Sequence, residues 1–165
     1  MRILFLLLLT GISWGVQAME KTIPMQQQFG PANAFSVMVP TDWIVGTGES
    51  FSLNAPNGGP SLGGTAYRIE HRPPLSEFSN ARYQGVDNMG VYTQVGSERT
   101  LADDDGVIRE YEGVWPGETF ITTYVVACKS KEAIYACLSL VTTKKDFTAN
   151  RVFYEKMFST FVIHP

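Results

Sequence analysis

The sequence predicts an α+β domain, an antiparallel β-sheet meander with helices packed on it. Three observations carry this. Residues 120–143, FITTYVVACKSKEAIYACLSLVTT, hold two apolar β-branched runs around the polar segment Lys129-Ser130-Lys131-Glu132; runs this apolar belong at the centre of an antiparallel sheet. Shorter alternating runs recur elsewhere, with Gly, Pro or Asp turns between them. Two segments, after Pro73-Pro74 and after Thr143, switch to helical spacing. Strands, helix, meander, helix is the order of an α+β fold.

The chain opens with Met1-Arg2 and the apolar run ILFLLLL, then reaches the small-residue site Val16-Gln17-Ala18. That is the pattern of a signal peptide over 1–18, with the cut after Ala18. The apolar run falls short of the roughly 20 residues of a membrane span, and Gly11 and Gly15 interrupt it. No Cys follows it to carry a lipid. The expectation is therefore an exported, periplasmic protein with no membrane insertion after cleavage. Residues 19–34 read as a polar, flexible arm with room for a short strand at its end, and 35–165 as a single domain. A net charge of −3 argues against nucleic acid and anionic membrane as partners.

In the domain, Phe35-Ser36-Val37-Met38-Val39 alternates and stops at Pro40, which cannot donate to a central ladder. Pro40 to Trp43 is a turn, and Trp43-Ile44-Val45 and Phe51-Ser52-Leu53 are short strands. Residues 54–64, with two Gly-Gly pairs, read as a mobile loop, and 65–70 as a strand. Pro73-Pro74 opens a helix with Leu75, Phe78, Arg82, Val86 and Met89 at helical spacing and Gly90 as its cap. Strands follow over 91–101 and 107–114, joined by Asp103-Asp104-Asp105-Gly106, since Asp-Gly tolerates the positive φ of tight hairpins. Val107, Arg109 and Tyr111 share one face. Trp115-Pro116-Gly117-Glu118 is a second turn. After the central hairpin, Asp146 caps a helix running to about Phe158, with Phe147, Asn150 or Arg151, Tyr154 and Phe158 inward. Phe161-Val162-Ile163 closes as a strand.

Two cysteines in an exported chain favour a disulfide between Cys128 and Cys137. Hairpin geometry opposes it. A turn at Ser130-Lys131 pairs Cys128 with Ala133 or Ile134 and separates the sulfurs beyond the ~7 Å limit between Cα atoms. A bridge needs a longer loop or a bulge; otherwise the two are buried thiols.

Candidate chemistry is sparse. His71 and His164 are the only histidines and lack ligand-spaced partners, so no metal site is expected. No nucleophile–His–acid signature is present, and the Gly-rich loop has no following Lys-Ser or Lys-Thr to hold phosphate. Glu110 and Glu112 point to the same face of one strand and read as solvated rather than as a glycosidase pair. No catalytic residue and no cofactor are expected. Asp103, Asp104 and Asp105 form an exposed acidic tip without the twelve-residue spacing of a calcium loop.

Phe35-x-Val37-x-Val39-Pro40-x-x-Trp43, the Arg-containing strand Tyr67-Arg68-Ile69 before a helix, the hairpin with an aromatic return strand, the apolar hairpin and the closing Phe158-Ser159-Thr160-Phe161 together resemble the PsbP-like fold. That family is named for an extrinsic subunit of photosystem II and includes DcrB-type lipoproteins and adaptor or immunity proteins of type VI secretion. The resemblance covers most of 19–165 and rests on turns and core positions. It implies a non-enzymatic binding protein. This chain departs from the lipoprotein branch in having no lipidated Cys. The expected function is to bind a protein partner. The most specific form is an immunity protein occluding a periplasm-acting secreted toxin, with Asp103, Asp104, Asp105, Trp115 and Glu118 in the contact. The alternatives are an accessory subunit of a cell-envelope complex and a cell-wall hydrolase.

Overall fold

The computed structural model describes residues 23–47, 50–101 and 105–165. The expected signal peptide, Asp103 and Asp104 lie outside them. The strands are β1 (Met25–Phe29), β2 (Phe35–Pro40), β3 (Ile44–Val45), β4 (Phe51–Asn54), β5 (Ser61–Arg68), β6 (Tyr92–Thr100), β7 (Gly106–Gly113), β8 (Thr122–Lys131), β9 (Ile134–Thr143) and β10 (Val162–Ile163). The helices are α1 (Leu75–Asp87), between β5 and β6, and α2 (Lys144–Ser159), between β9 and β10. All strand pairings are antiparallel, as the α+β reading requires.

The strands form two sheets. Seven run in the order β3-β4-β5-β9-β8-β7-β6, with the β8–β9 hairpin inside, where its apolar sequence places it. The other three run β1-β2-β10, so the first and last apolar strands of the domain meet. The split from a single sheet follows from Pro40: it ends β2, and the turn closed by the Trp43 amide on the Pro40 carbonyl (3.2 Å) redirects the chain. The polar arm is ordered over 25–29, where β1 pairs with residues 36–40 of β2.

Both faces of the central hairpin are covered, which is why its strands read as continuous apolar runs. Val126, Cys128, Tyr135 and Cys137 face α1 and pack with Phe78, Tyr83, Val86 and Tyr111. Val125, Ala127, Leu138 and Leu140 face the other way, into a larger core with Phe35, Val37, Leu62, Phe147, Phe158 and Phe161. That core is built of rings: Phe35 meets Phe51 and Phe161 edge-on, with centroids 5.1 and 5.5 Å apart. Gly64 makes the approach possible, since a Cβ there would lie 2.7 Å from both the Phe35 and Phe51 rings. Gly63 and Gly64 are thus strand residues of β5, paired with β4 and β9, and not part of a mobile loop.

Four local expectations are corrected. The central turn is Glu132-Ala133, with Glu132 at φ 55°, and the ladder continues through Lys129, Ser130 and Lys131. Lys129 belongs in the strand because its stem is buried against the Phe161 ring, 5.9 Å from the ammonium, while Asp105 meets the ammonium at 2.6 Å. On α1 the inward residues are Phe78, Ser79, Tyr83 and Val86; Tyr83 takes the place given to Arg82, whose guanidinium lies 4.3 Å over the Tyr67 ring. The cap of α2 is Thr143, whose hydroxyl accepts the Asp146 N–H (3.1 Å); Asp146 sits one turn in and accepts from Thr142 and Tyr154. Phe147, Tyr154, Met157 and Phe158 are the buried residues of that helix, with Asn150 and Arg151 outside.

Candidate functional site

The register puts Cys128 directly opposite Cys137, with Cα atoms 4.1 Å apart, and the two are bonded as a disulfide. The geometric objection fails because the turn lies two residues later than the polar run suggests. The cystine is buried beneath α1.

Among the described residues, the connection 114–121, between β7 and β8, carries four exposed large apolar side chains, Val114, Trp115, Phe120 and Ile121. It leaves β7 at Gly113, where a Cβ would come 2.0 Å from the Val91 carbonyl oxygen. The expected turn is closed by the Glu118 N–H on the Trp115 carbonyl (2.9 Å), with Gly117 at φ 90°. At the far end the Lys144 N–H donates to the Ile121 carbonyl (2.8 Å), tying the connection to the start of α2. Trp115 is fixed: its indole N–H donates to the Tyr92 hydroxyl at 2.8 Å, and the two rings stand edge-to-face at 5.9 Å. Tyr92 is in turn packed on Tyr124. Burial raises the Tyr92 pKa, and the bond from Trp115 opposes that shift. Trp115 is nonetheless 43 % exposed, and Val114, Phe120 and Ile121 are comparably so. Glu118 is exposed on the same turn. A rigid aromatic flanked by apolar neighbours has the chemistry of an interface anchor.

Of the acidic tip, Asp105 is described, and its carboxylate is held by buried Lys129. Asp105 precedes β7 and the Trp115 turn follows it, so the two lie at opposite ends of an eight-residue strand, roughly 24 Å apart.

Glu110 is not solvated. It is 8 % exposed, on the α2 face of β7. Arg151 grips it bidentately at 2.9 Å from each oxygen, and Arg99 reaches the same carboxylate. Glu112, on the same face as expected, pairs with Lys144 at 2.8 Å. Both carboxylates are neutralised by cations, which suits structural ion pairs better than acid–base work.

One arrangement escaped the sequence reading. His164 Nε2 lies 2.8 Å from the Ser36 hydroxyl, and the Gln27 amide donates to the same hydroxyl at 3.0 Å. Ser36 is sealed between β1 and β10, so the trio ties three strands rather than presenting a nucleophile. No local signal could reveal it, because the pair is separated by 128 positions. Among the described residues no group of three or more His, Cys, Asp or Glu side chains could hold a metal ion. Nor is any helix among them long and apolar enough to cross a membrane.

No family model matches the sequence, and no curated protein does. Solved structures match in shape. The chain is similar to the Ran-binding protein Mog1p of Saccharomyces cerevisiae, with a TM-score of 0.61 and 10 % identity over 86 % of this chain and 96 % of that one. It is similar to the cyanobacterial PsbP of Synechocystis, with a TM-score of 0.60 and 11 % identity over 92 % and 99 % of the two chains. A Pseudomonas aeruginosa protein of unknown function follows, at 0.53 and 13 % identity over 86 % and 98 %. At such identities the likeness is one of architecture, and on that ground the chain has the PsbP-like α+β fold.

Proposed function

We propose that this chain is an exported, non-enzymatic protein-binding domain that docks through the 114–121 connection. The observation behind this reading is the exposed apolar set Val114, Trp115, Phe120 and Ile121, with Trp115 held in place by Tyr92. Surface of this kind marks contact with a partner. The leader pattern and the Cys128–Cys137 bridge support export to the periplasm, since disulfides persist in oxidising compartments. Use of the same architecture by a Ran-binding protein supports binding over catalysis.

Two finer forms divide on the partner. An apolar docking loop favours an accessory subunit of a cell-envelope complex. The immunity reading draws on the acidic balance. There, Asp103, Asp104 and Asp105 steer encounter with a basic toxin, and Trp115 and Glu118 make the contact.

The test starts with the tagged chain expressed in the periplasm. Candidate partners are the product of the neighbouring reading frame and purified envelope complexes. With the partner in hand, Trp115→Ala with Phe120→Ala is expected to weaken binding by at least about thirtyfold without moving the melting temperature. Unchanged affinity removes the 114–121 surface from the reading. Asn at 103, 104 and 105 is expected to slow association, most at low salt, only if the partner is a basic toxin. Clearing of cell-wall substrate by the purified protein in a zymogram would replace the binding reading with a hydrolase.

A further inference from the structure

A second site lies elsewhere on the surface and shares no residue with the 114–121 connection. An open cleft of about 650 Å³ runs between the β1–β2 ribbon and α2. That volume falls within the span of small-ligand pockets. Met25, Met38, Phe153, Val152 and Lys156 line it, over the fully buried Met157. Methionine side chains adapt to irregular apolar shapes.

Two features set this stretch of α2 apart from an ordinary solvated helix. Val152 is 81 % exposed, where the outer face of a surface helix normally carries polar groups. Asn150 leaves helical geometry, at φ −117° and ψ 19°, and its side-chain amide donates to the Asp146 carbonyl at 3.3 Å. A side chain inserted into the backbone ladder is a recognised cause of a kink.

Charge selects the ligand. Arg151 is engaged by Glu110 and Glu155. No carboxylate among the described residues is within ion-pair distance of Lys156. A chain of net charge −3 thus presents an uncommitted ammonium beside a methionine-lined cleft. We infer that the cleft binds a single-chain anionic amphiphile, a long-chain carboxylate, with its hydrocarbon along Met25, Met38 and Phe153 and its head group on Lys156. The hydrocarbon supplies most of the affinity by leaving water; the ammonium supplies the preference for an anion.

The experiment titrates the purified protein with dodecanoate and with dodecanol, both below their aggregation concentrations, by calorimetry and by methionine-methyl NMR. Dodecanoate is expected to shift the methyl signals of Met25 and Met38 and to bind about tenfold more tightly than dodecanol. Lys156→Gln should bring dodecanoate down to the level of dodecanol and leave dodecanol unchanged. Val152→Asp should weaken both. Both positions are exposed, so the melting temperature serves as the folding control. Equal affinity for acid and alcohol, no effect of Lys156→Gln, shifts confined to other methionines, or no binding of dodecanoate would each overturn the inference. The last is also the result if the cleft receives a protein segment instead.

Discussion

At the scale of single residues, Glu110 shows where charge does structural work. Its carboxylate joins β7 to β6 through Arg99 and to α2 through Arg151. Glu110→Gln should lower unfolding stability by about 2 kcal/mol in a urea titration, short of a fully buried pair because both arginines are nearly half exposed. Gly64→Ala should be destabilising by about 1–3 kcal/mol, because the added methyl meets two rings and cannot turn away. Tyrosines set the alkaline limit. Burial first, with Glu98 beside Tyr83 and Asp146 beside Tyr154, raises both phenols well above the ordinary value of about 10, and burial also raises Tyr92 and Tyr111. The unfolded chain then releases these protons at lower pH than the folded one. Stability should hold up to about pH 10 and fall beyond it. Tyrosinate absorbance from the buried rings should appear together with loss of near-ultraviolet circular dichroism. None of these partners was legible in the sequence: alternation put Glu110 on the correct face of its strand, but only α2 packing over that face turns it from a solvated carboxylate into a buried one.

At the scale of elements, periodicity was enough to place the strands. The alternation of Phe35–Val39 and the two runs of the central hairpin predicted strands that the structure contains. Errors gathered where a polar residue sits inside a ladder. Lys129 reads as a turn residue, yet its long stem lies in the core and its ammonium meets Asp105, so the hairpin extends to Glu132. That two-residue shift brings the cysteines face to face. Gly63 and Gly64 misread for the opposite reason, since glycine marks loops and also close approaches within sheets. The bridge closes a short loop within an already paired hairpin, so Cys128→Ala with Cys137→Ala should lower stability by about 2–3 kcal/mol. Because α1 covers the cystine, reduction of the native protein should be slow without denaturant and fast with it, as read by alkylation and mass spectrometry.

At the scale of the whole molecule, the fold class was legible and the use of its surface was not. Composition and the order of periodic segments suffice for an antiparallel sheet with helices on it, because burial of both faces leaves a strong apolar signal in β8 and β9. Binding surfaces leave a weaker one. Trp115 was picked out as an aromatic in a turn, but its rigidity comes from Tyr92, far away in sequence. The cleft beside α2 depends on how the β1–β2 ribbon lies against the helix, a relation between distant segments. Trp115→Ala alone should leave the denaturation midpoint within about 0.5 kcal/mol of the parent, as expected for an exposed side chain, which makes it a clean probe of docking.

The pairing of β2 with β10 has a consequence for how the polypeptide is made. Phe35 lies against Phe161, and Ser36 and Phe35 are zipped to Val162 and Ile163, more than 120 positions later in the chain. One edge of β2 therefore stays open until residues 162 and 163 have been made and have docked, and no earlier part of the chain can close the core around Phe35. Synthesis thus runs well past the seven-stranded sheet before the smaller sheet is complete. A version stopped after Ser159 should bind the dye ANS strongly and be digested rapidly, even though every residue of the seven-stranded sheet is present.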